Sequence, residues 1–348
     1  MIFWCYPDPI QLSSLESVPL LLCLVSLGRR GARWLALQHS GLIFSFADTT
    51  LLPTKSKYAF ATFLGRDSDG GNNTDYNSDN YYVGVRILAY QLLHDPETRS
   101  NIPLIVLVTQ NVENVKRQQL QRDGAIIWEV APIDPGLLRT EEKHWQDTLA
   151  KLRLWQLTQF ERIAFLDADT VLFQSIADIF NDPAVAIQET DILEEISAVP
   201  KEYAFAGNKE TEWSHRWPPT EEHVDFPNIN YFNAGFIILR PDTELFKYYI
   251  SLTKVSDLFD AHFMEQSLLN YAHRRDGNMP WQQVDIKWAV HFPTVQDIKG
   301  GVRFVHEKWW DPFYKDVGPY LLAWKSKMEE YFDSSQGNIT TPGSTEDR

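Results

Sequence analysis

Two carboxylates set one residue apart, Asp167-Ala168-Asp169, follow directly on the apolar run Ile163-Ala164-Phe165-Leu166. A run that is apolar on both faces reads as a strand buried in a parallel sheet. Ligands of open α/β sheets gather at the carboxyl ends of such strands. Carboxylate oxygens delivered there suit a hard divalent cation, magnesium or manganese, carrying a diphosphate. The same triplet also suits a solvated turn, where Asp is common, so the surrounding sequence has to decide. Far downstream, Val305-His306-Glu307-Lys308-Trp309-Trp310 offers a histidine to complete a metal site and a lysine, Lys308, to meet phosphate oxygens. A lone late histidine is as a rule a plain surface or core residue, so His306 stands as a candidate only in company with the aspartates.

The elements that must position these groups alternate. Tyr58 to Leu64 reads as a strand, followed by a polar loop from Gly65 to Asn80. Tyr81, Val85, Leu88 and Leu92 lie on one helical face, and that helix stops at Asp95-Pro96. Ile102 to Val108 and Ala125 to Val130 read as strands, with a charged helix from Val112 to Arg122 between them. Trp145, Leu149, Leu152 and Trp155 form a further helical stripe before the strand Arg162 to Leu166. Alternating strand and helix predicts a parallel βαβ sheet with right-handed crossovers. The second half is less regular. Phe232 to Leu239 reads as a strand closed by Arg240-Pro241, and Leu245 to Leu252 and Phe263 to Tyr271 read as helices. The polar, proline-bearing stretch from Asn208 to Pro227 reads as a loop or lid near the site.

Composition bounds the rest. The chain has 348 residues, 44% of them hydrophobic, enough for a large core in one or two domains. Its formal net charge of −15 argues against a nucleic-acid partner. Both cysteines, Cys5 and Cys23, precede the body, which therefore has neither a disulfide nor a cysteine metal site. Residues 1–50 differ in character. The apolar run Val18 to Leu27 is short, and Trp34 to Phe46 is moderately apolar behind Arg29, Arg30 and Arg33. A basic flank before an apolar stretch suits a leader or membrane anchor with a cytosolic N-terminus. Two acceptor sequons, Asn72-Asn73-Thr74 and Asn338-Ile339-Thr340, suit a secretory lumen. Residues 333–348 are polar and read as a disordered tail, which leaves 58–332 as the body.

The stretch from Leu149 to Phe160 through Asp167-Ala168-Asp169-Thr170 resembles glycosyltransferase family 8, the glycogenin-like group. Phe232-Asn233-Ala234-Gly235-Phe236 resembles that family's second signature, and Glu265-Gln266-Ser267-Leu268-Leu269-Asn270 its third, in the family's order. The resemblance implies a GT-A fold, a manganese-dependent site and retaining transfer from a UDP-sugar. It implies that Asp167, Asp169 and His306 hold manganese, and that the backbone of Ala168 lies beside the ribose. It places Phe63 and Tyr81 near the uracil and Lys151 near the donor sugar and phosphates. Asn233 would contact the sugar, and Asp260, Glu265 and Gln266 would surround the sugar and reacting face. A plain alternative for Asn233 and Gln266 is a buried amide that holds loops together.

Three departures from the family pattern stand out. Glu265 replaces the usual Asp, with two additional residues between it and Asp260. The ending His306-Glu307-Lys308-Trp309-Trp310 is compact, and no tyrosine lies between Tyr271 and Tyr314, where glycogenin carries its own acceptor. Together with Tyr271 to Trp281, the compact ending resembles a fungal branch described as Golgi N-acetylglucosaminyltransferases. The expected activity is transfer from UDP-N-acetylglucosamine or UDP-glucose to a glycan or glycoprotein acceptor, with the body in the Golgi lumen. The alternatives are a self-glucosylating primer, a catalytically silent sugar-nucleotide-binding protein and a nucleotidyltransferase; the last lacks the expected glycine-rich phosphate loop.

Overall fold

The computed structural model describes residues 55–65, 76–140, 147–191, 199–223 and 225–337. In chain order the strands of the first half are β1 (Tyr58–Leu64), β2 (Leu104–Thr109), β3 (Ile126–Val130), β4 (Arg162–Leu166), β5 (Thr170–Leu172) and β6 (Gln188–Glu189). Those of the second half are β7 (Glu202–Tyr203), β8 (Phe205–Lys209), β9 (Phe232–Leu239), β10 (Gln282–Gln283), β11 (Ala289–His291) and β12 (Phe304–His306). The helices are α1 (Asn80–Leu93), α2 (Asn114–Arg122), α3 (Thr243–Leu252), α4 (Glu265–Ala272), α5 (Val295–Gly300) and α6 (Gly318–Gly337).

A seven-stranded sheet in the order β10-β8-β9-β4-β1-β2-β3 forms the centre. Strands β3, β2, β1 and β4 run parallel, β9 runs antiparallel to both β4 and β8, and β10 returns parallel to β8. Both faces are covered. Alternate residues of β4 point to opposite sides: Ala164 and Leu166 join a core with α1 and α6, while Ile163 and Phe165 join one with α3 and α4. Burial on both sides is why β1, β2 and β4 carry near-continuous apolar runs.

Helix α1 begins where the Asp79 carboxylate accepts from the Tyr82 amide at 3.1 Å, and Lys116 pairs with the same carboxylate at 2.7 Å. Such an N-cap contributes about 1 kcal/mol. The helix ends at Leu93, capped by His94, just before Asp95-Pro96, as the sequence predicts. The 148–156 segment is not an α-helix but a 3₁₀ helix, Thr148–Gln156. The cause is legible after the fact: fully buried Leu149, Leu152 and Trp155 recur every third residue, the 3₁₀ period. Trp145 lies outside the described residues.

Several boundaries differ from expectation; β2 and α2 start two residues later and α3 two residues earlier than read, and three further differences bear on the site or the body. Asn208 and Lys209 belong to β8, so the loop that follows starts at Glu210. Helix α4 starts at Glu265, because Met264 before it takes a left-handed backbone conformation with φ 43°. Helix α6 continues to Gly337, so residues 333–337 are helical where a tail was expected. Residues 1–50, both sequons and 338–348 lie outside the described residues. Among the described residues no helix is long and apolar enough to cross a membrane.

Candidate active site

The Asp-Ala-Asp segment is the turn that carries the chain from the large sheet into a second one. The Asp167 amide donates to the Gly235 carbonyl on β9 at 2.8 Å, and the Thr170 amide closes the turn on the Asp167 carbonyl at 3.1 Å. The chain then enters β5, part of a three-stranded sheet in the order β11-β12-β5. In that sheet β12 runs antiparallel to β5, with His306 opposite Thr170. This register sets His306 beside the turn, and the Glu307 amide fixes it there by donating to the Asp169 carbonyl at 2.9 Å.

The outer edge of β5 would leave backbone groups unpaired in the core. Gln91 of α1, fully buried, supplies both partners: its amide donates to the Leu172 carbonyl at 2.7 Å and accepts from the Leu172 amide at 3.0 Å. The same helix approaches the turn through Gly84. A Cβ there would come 2.0 Å from the Ala168 carbonyl oxygen, so only glycine permits the contact. The Ala168 backbone is therefore held by α1, and its side chain is buried.

Donor atoms of Asp167, Asp169 and His306 all lie within 4.8 Å of one another. His306 Nε2 is 3.0 Å from Asp169 Oδ1 and 4.0 Å from Asp167 Oδ2. Burial opposes a charged ring, but the two carboxylates outweigh it and push His306 up to about 9. Burial likewise opposes ionised Asp169, and the His306 ring outweighs it, holding Asp169 below the usual carboxylate range. Two carboxylates facing one imidazole make a hard, oxygen-rich donor set that a divalent cation fits, with the cation replacing the ring proton. The His306 ring packs on Gly235, where a Cβ would meet it at 2.1 Å.

Lys151 lies behind the turn. Its ammonium reaches Asp167 at 2.7 Å and Glu265 at 3.0 Å, and both Lys151 and Glu265 are buried. Burial disfavours the ammonium, yet the two carboxylates hold it above its usual range. Asn233 accepts from the Gly235 amide at 2.8 Å and also bonds Glu210. Gln266 accepts from the Ala234 amide at 2.8 Å and donates to the Tyr231 hydroxyl at 3.1 Å. Both amides thus hold the β9 entry in place while lying at the site.

The remaining expected residues lie further out. Phe63 is half-buried at the end of β1. Tyr81 is exposed at 36% and meets Trp310 edge-on at 5.0 Å. Lys308 is exposed, two residues after His306 in the chain. Asp260 is exposed on a turn, accepts from the His262 amide at 3.0 Å, and has no ion pair with Lys151.

Two groups escape a reading of the sequence alone. Glu210, at the start of the expected lid, is a carboxyl raised above its usual range by burial, within reach of Asn233 and His306. His291 on β11 stands opposite His306 with ring centroids 5.2 Å apart. Burial pushes His291 well below its usual range, so it is neutral, and neither ring nitrogen has a protein partner. Its only sequence signal is a histidine at the end of the short apolar segment Trp288 to His291.

Comparison with known proteins finds relatives of this chain. The sequence model of glycosyl transferase family 8 matches residues 76–308. Galactinol synthase 10 of Arabidopsis thaliana is 28% identical over 312 residues, 81% of this chain and 86% of the relative. An uncharacterized protein of Schizosaccharomyces pombe is 26% identical over 287 residues, 72% of this chain and 75% of the relative. The galactosyltransferase LgtC, solved with donor and acceptor sugar analogues, is 13% identical with a TM-score of 0.46, over 82% of this chain and 97% of that one. The chain belongs to glycosyl transferase family 8: it is a glycosyltransferase with a GT-A-like α/β fold, moving a sugar from a nucleotide-sugar donor to an acceptor.

Proposed function

We propose that this enzyme transfers a sugar from UDP-N-acetylglucosamine or UDP-glucose to a separate glycan or glycoprotein acceptor, with retention at the anomeric carbon and with manganese at Asp167, Asp169 and His306. The observation that carries the reading is that cluster itself, with its donor atoms within 4.8 Å and backed by the Lys151–Glu265 pair. Bound there, the cation would neutralise the leaving diphosphate. Lys308, exposed two residues after His306, would add positive charge on the phosphates. Asn233 and Gln266 orient the donor sugar from the β9 entry. Lys151 pairs with Asp167 at 2.7 Å and would hold it aimed at the cation.

The carboxyl inventory favours front-side attack over a covalent intermediate. Glu265 is tied to Lys151, and Asp260 sits apart on an exposed turn. Glu265 is held by its ion pair, Asp260 is exposed, and burial favours the protonated form of Glu210, so the leaving phosphate oxygen would take the acceptor proton.

A separate acceptor is favoured over self-glucosylation. Tyr314 is tied through its hydroxyl to the Trp213 carbonyl at 2.8 Å, and Tyr271 packs against Phe259 with ring centroids 5.4 Å apart. A second acceptor class, a small molecule, is suggested by relatives whose name is galactinol synthase. A Golgi-luminal body behind an N-terminal anchor remains part of the proposal. It rests on the basic-then-apolar N-terminus and the sequons.

The test is UDP release from UDP-N-acetylglucosamine, UDP-glucose and UDP-galactose, with and without manganese, followed by intact-mass measurement of the enzyme. Manganese-dependent release with no added sugar on the protein is expected. A ladder of added hexoses, lost when one tyrosine becomes phenylalanine, would establish the primer reading instead.

A further inference from the structure

At the end of the central sheet away from Asp167 lies a cavity of about 640 Å³. Strand β4 begins there with Arg162 and ends at Leu166, so the cavity and the metal cluster are separated by about 16 Å of one extended strand. Tyr58 pairs with Arg162 across β1 and β4. On the other side Ile163 pairs with Leu239 of antiparallel β9, so the next rung sets Arg162 opposite Arg240. Tyr58, Arg162 and Arg240 all line the cavity.

Like charges directly opposite across two strands destabilise a sheet. Among the described residues, a carboxylate partner offsets this one only on the Arg240 side. The Arg162 guanidinium donates only to the backbone carbonyls of Val185, at 3.0 Å, and Glu161, at 2.6 Å. It has no carboxylate partner among the described residues. Arg240 has one, Glu202 at 3.2 Å, itself half exposed. The acids in the lining are committed elsewhere. Glu161 pairs with Lys57 at 2.9 Å. Asp182 accepts from the Ala184 and Asp285 amides and from the Trp288 indole, at 2.9, 3.0 and 2.8 Å. Burial, and then the neighbouring Arg240 charge, hold Arg162 below its usual range. In a chain of net charge −15, one guanidinium without a carboxylate partner among the described residues, and a second whose partner Glu202 is half exposed, face one cavity and suit an anion.

We propose that this cavity binds a small phosphate-bearing molecule, with the phosphate seated between the Arg162 and Arg240 guanidiniums. Planar guanidinium forks match phosphate oxygens two at a time. The volume is in the range of ordinary small-ligand sites, about 300–1,000 Å³, and exceeds what a bare ion fills. Tyr58 and Phe180, stacked with centroids 4.5 Å apart and planes 4° from parallel, give the remainder of the ligand a flat wall. The site uses no residue of the metal cluster, so it stands independently of the donor reading.

The test is calorimetric titration of the full chain in EDTA at low ionic strength, with inorganic phosphate and with glycerol 3-phosphate as probes and sodium chloride at matched ionic strength as reference. One saturable site is expected for each probe. Arg162→Gln and Arg240→Gln should each weaken it tenfold or more, while Lys308→Gln at the donor site should leave it unchanged. Arg162→Gln removes a half-buried anchor of Val185 and could impair folding; Arg240, with its side chain 34% exposed, keeps the test valid. Heats equal to those of sodium chloride, binding that survives Arg240→Gln, or binding lost in Lys308→Gln would each overturn the proposal.

Discussion

The two arms of the metal cluster are built in opposite ways. Asp167 and Asp169 sit at the end of β4, a strand buried on both faces whose order comes from a regular apolar run and parallel neighbours on the β1 side. His306 arrives on β12, three residues long, through an antiparallel pairing with β5 that spans well over a hundred residues of chain. The first arm is specified locally. The second depends on one long-range register, pinned by the Glu307–Asp169 backbone bond and by Gln91 on the far edge of β5. A one-residue slip of β12 would turn His306 to the other face and dismantle the site.

The largest effect that separates the arms should come from Asp169→Ala. Loss of a metal-binding carboxylate removes several kcal/mol of leaving-group stabilisation, so metal-dependent UDP release should fall about a thousandfold. His306→Ala should fall less, because both carboxylates remain to hold the cation. Equal losses would show that the β12 arm matters as much as the β4 arm.

Next in size is Lys151→Ala. It leaves Glu265 buried without its partner, which costs about 3–5 kcal/mol of stability. Denaturant unfolding at neutral pH would read this. Because the ammonium is held above its ordinary value, its contribution is fully present at neutral pH and is lost only in strong alkali. A change under about 1 kcal/mol would show that the buried pair does not organise the site.

Gly84→Ala should be smaller and informative. In an ordinary helix interior this change stabilises by about 1 kcal/mol. Here the new Cβ would lie 2.0 Å from a backbone oxygen of the metal turn, which cannot yield cheaply. A net loss of about 1–3 kcal/mol is expected, together with weaker manganese binding. Stabilisation would mean that α1 does not press on the turn.

The smallest effect should come from deleting residues 1–50. The thermal midpoint and UDP binding of the remaining body should match those of the full chain. Aggregation of the truncated body in several hosts would place part of the core in those residues.

The same contrast explains what could be read before the structure. Strands β1, β4 and β9 fall where expected, because seven, five and eight residues suffice for a strand signal. Strands β5, β11 and β12 were not legible, since three residues carry no period. Helix α6 places Leu321, Trp324, Met328 and Phe332 in the core at helical spacing. That helix has no counterpart in the sequence reading, and it runs on to Gly337 through residues 333–337, whose polar composition reads as tail. At the site, Asp167, Asp169, Lys151 and Glu265 lie together in the fold. Glu210 and His291 have no local signature, since only the folded register brings them beside Asn233 and His306.

The most direct measurement is calorimetric titration of manganese into the parent chain between pH 6 and pH 10, with and without UDP. His306 titrates up to about 9 in the metal-free protein. Being raised above the ordinary 6.5, its protonated form stabilises the metal-free fold below that value, and this contribution is lost as pH rises through about 9. A cation taking its place must displace the ring proton. Manganese affinity should therefore rise roughly tenfold per pH unit up to about 9 and then level off, with one proton released per cation, and His306→Ala should flatten the profile. Affinity that is independent of pH, or the same profile in His306→Ala, would contradict the placement of His306 in the metal centre.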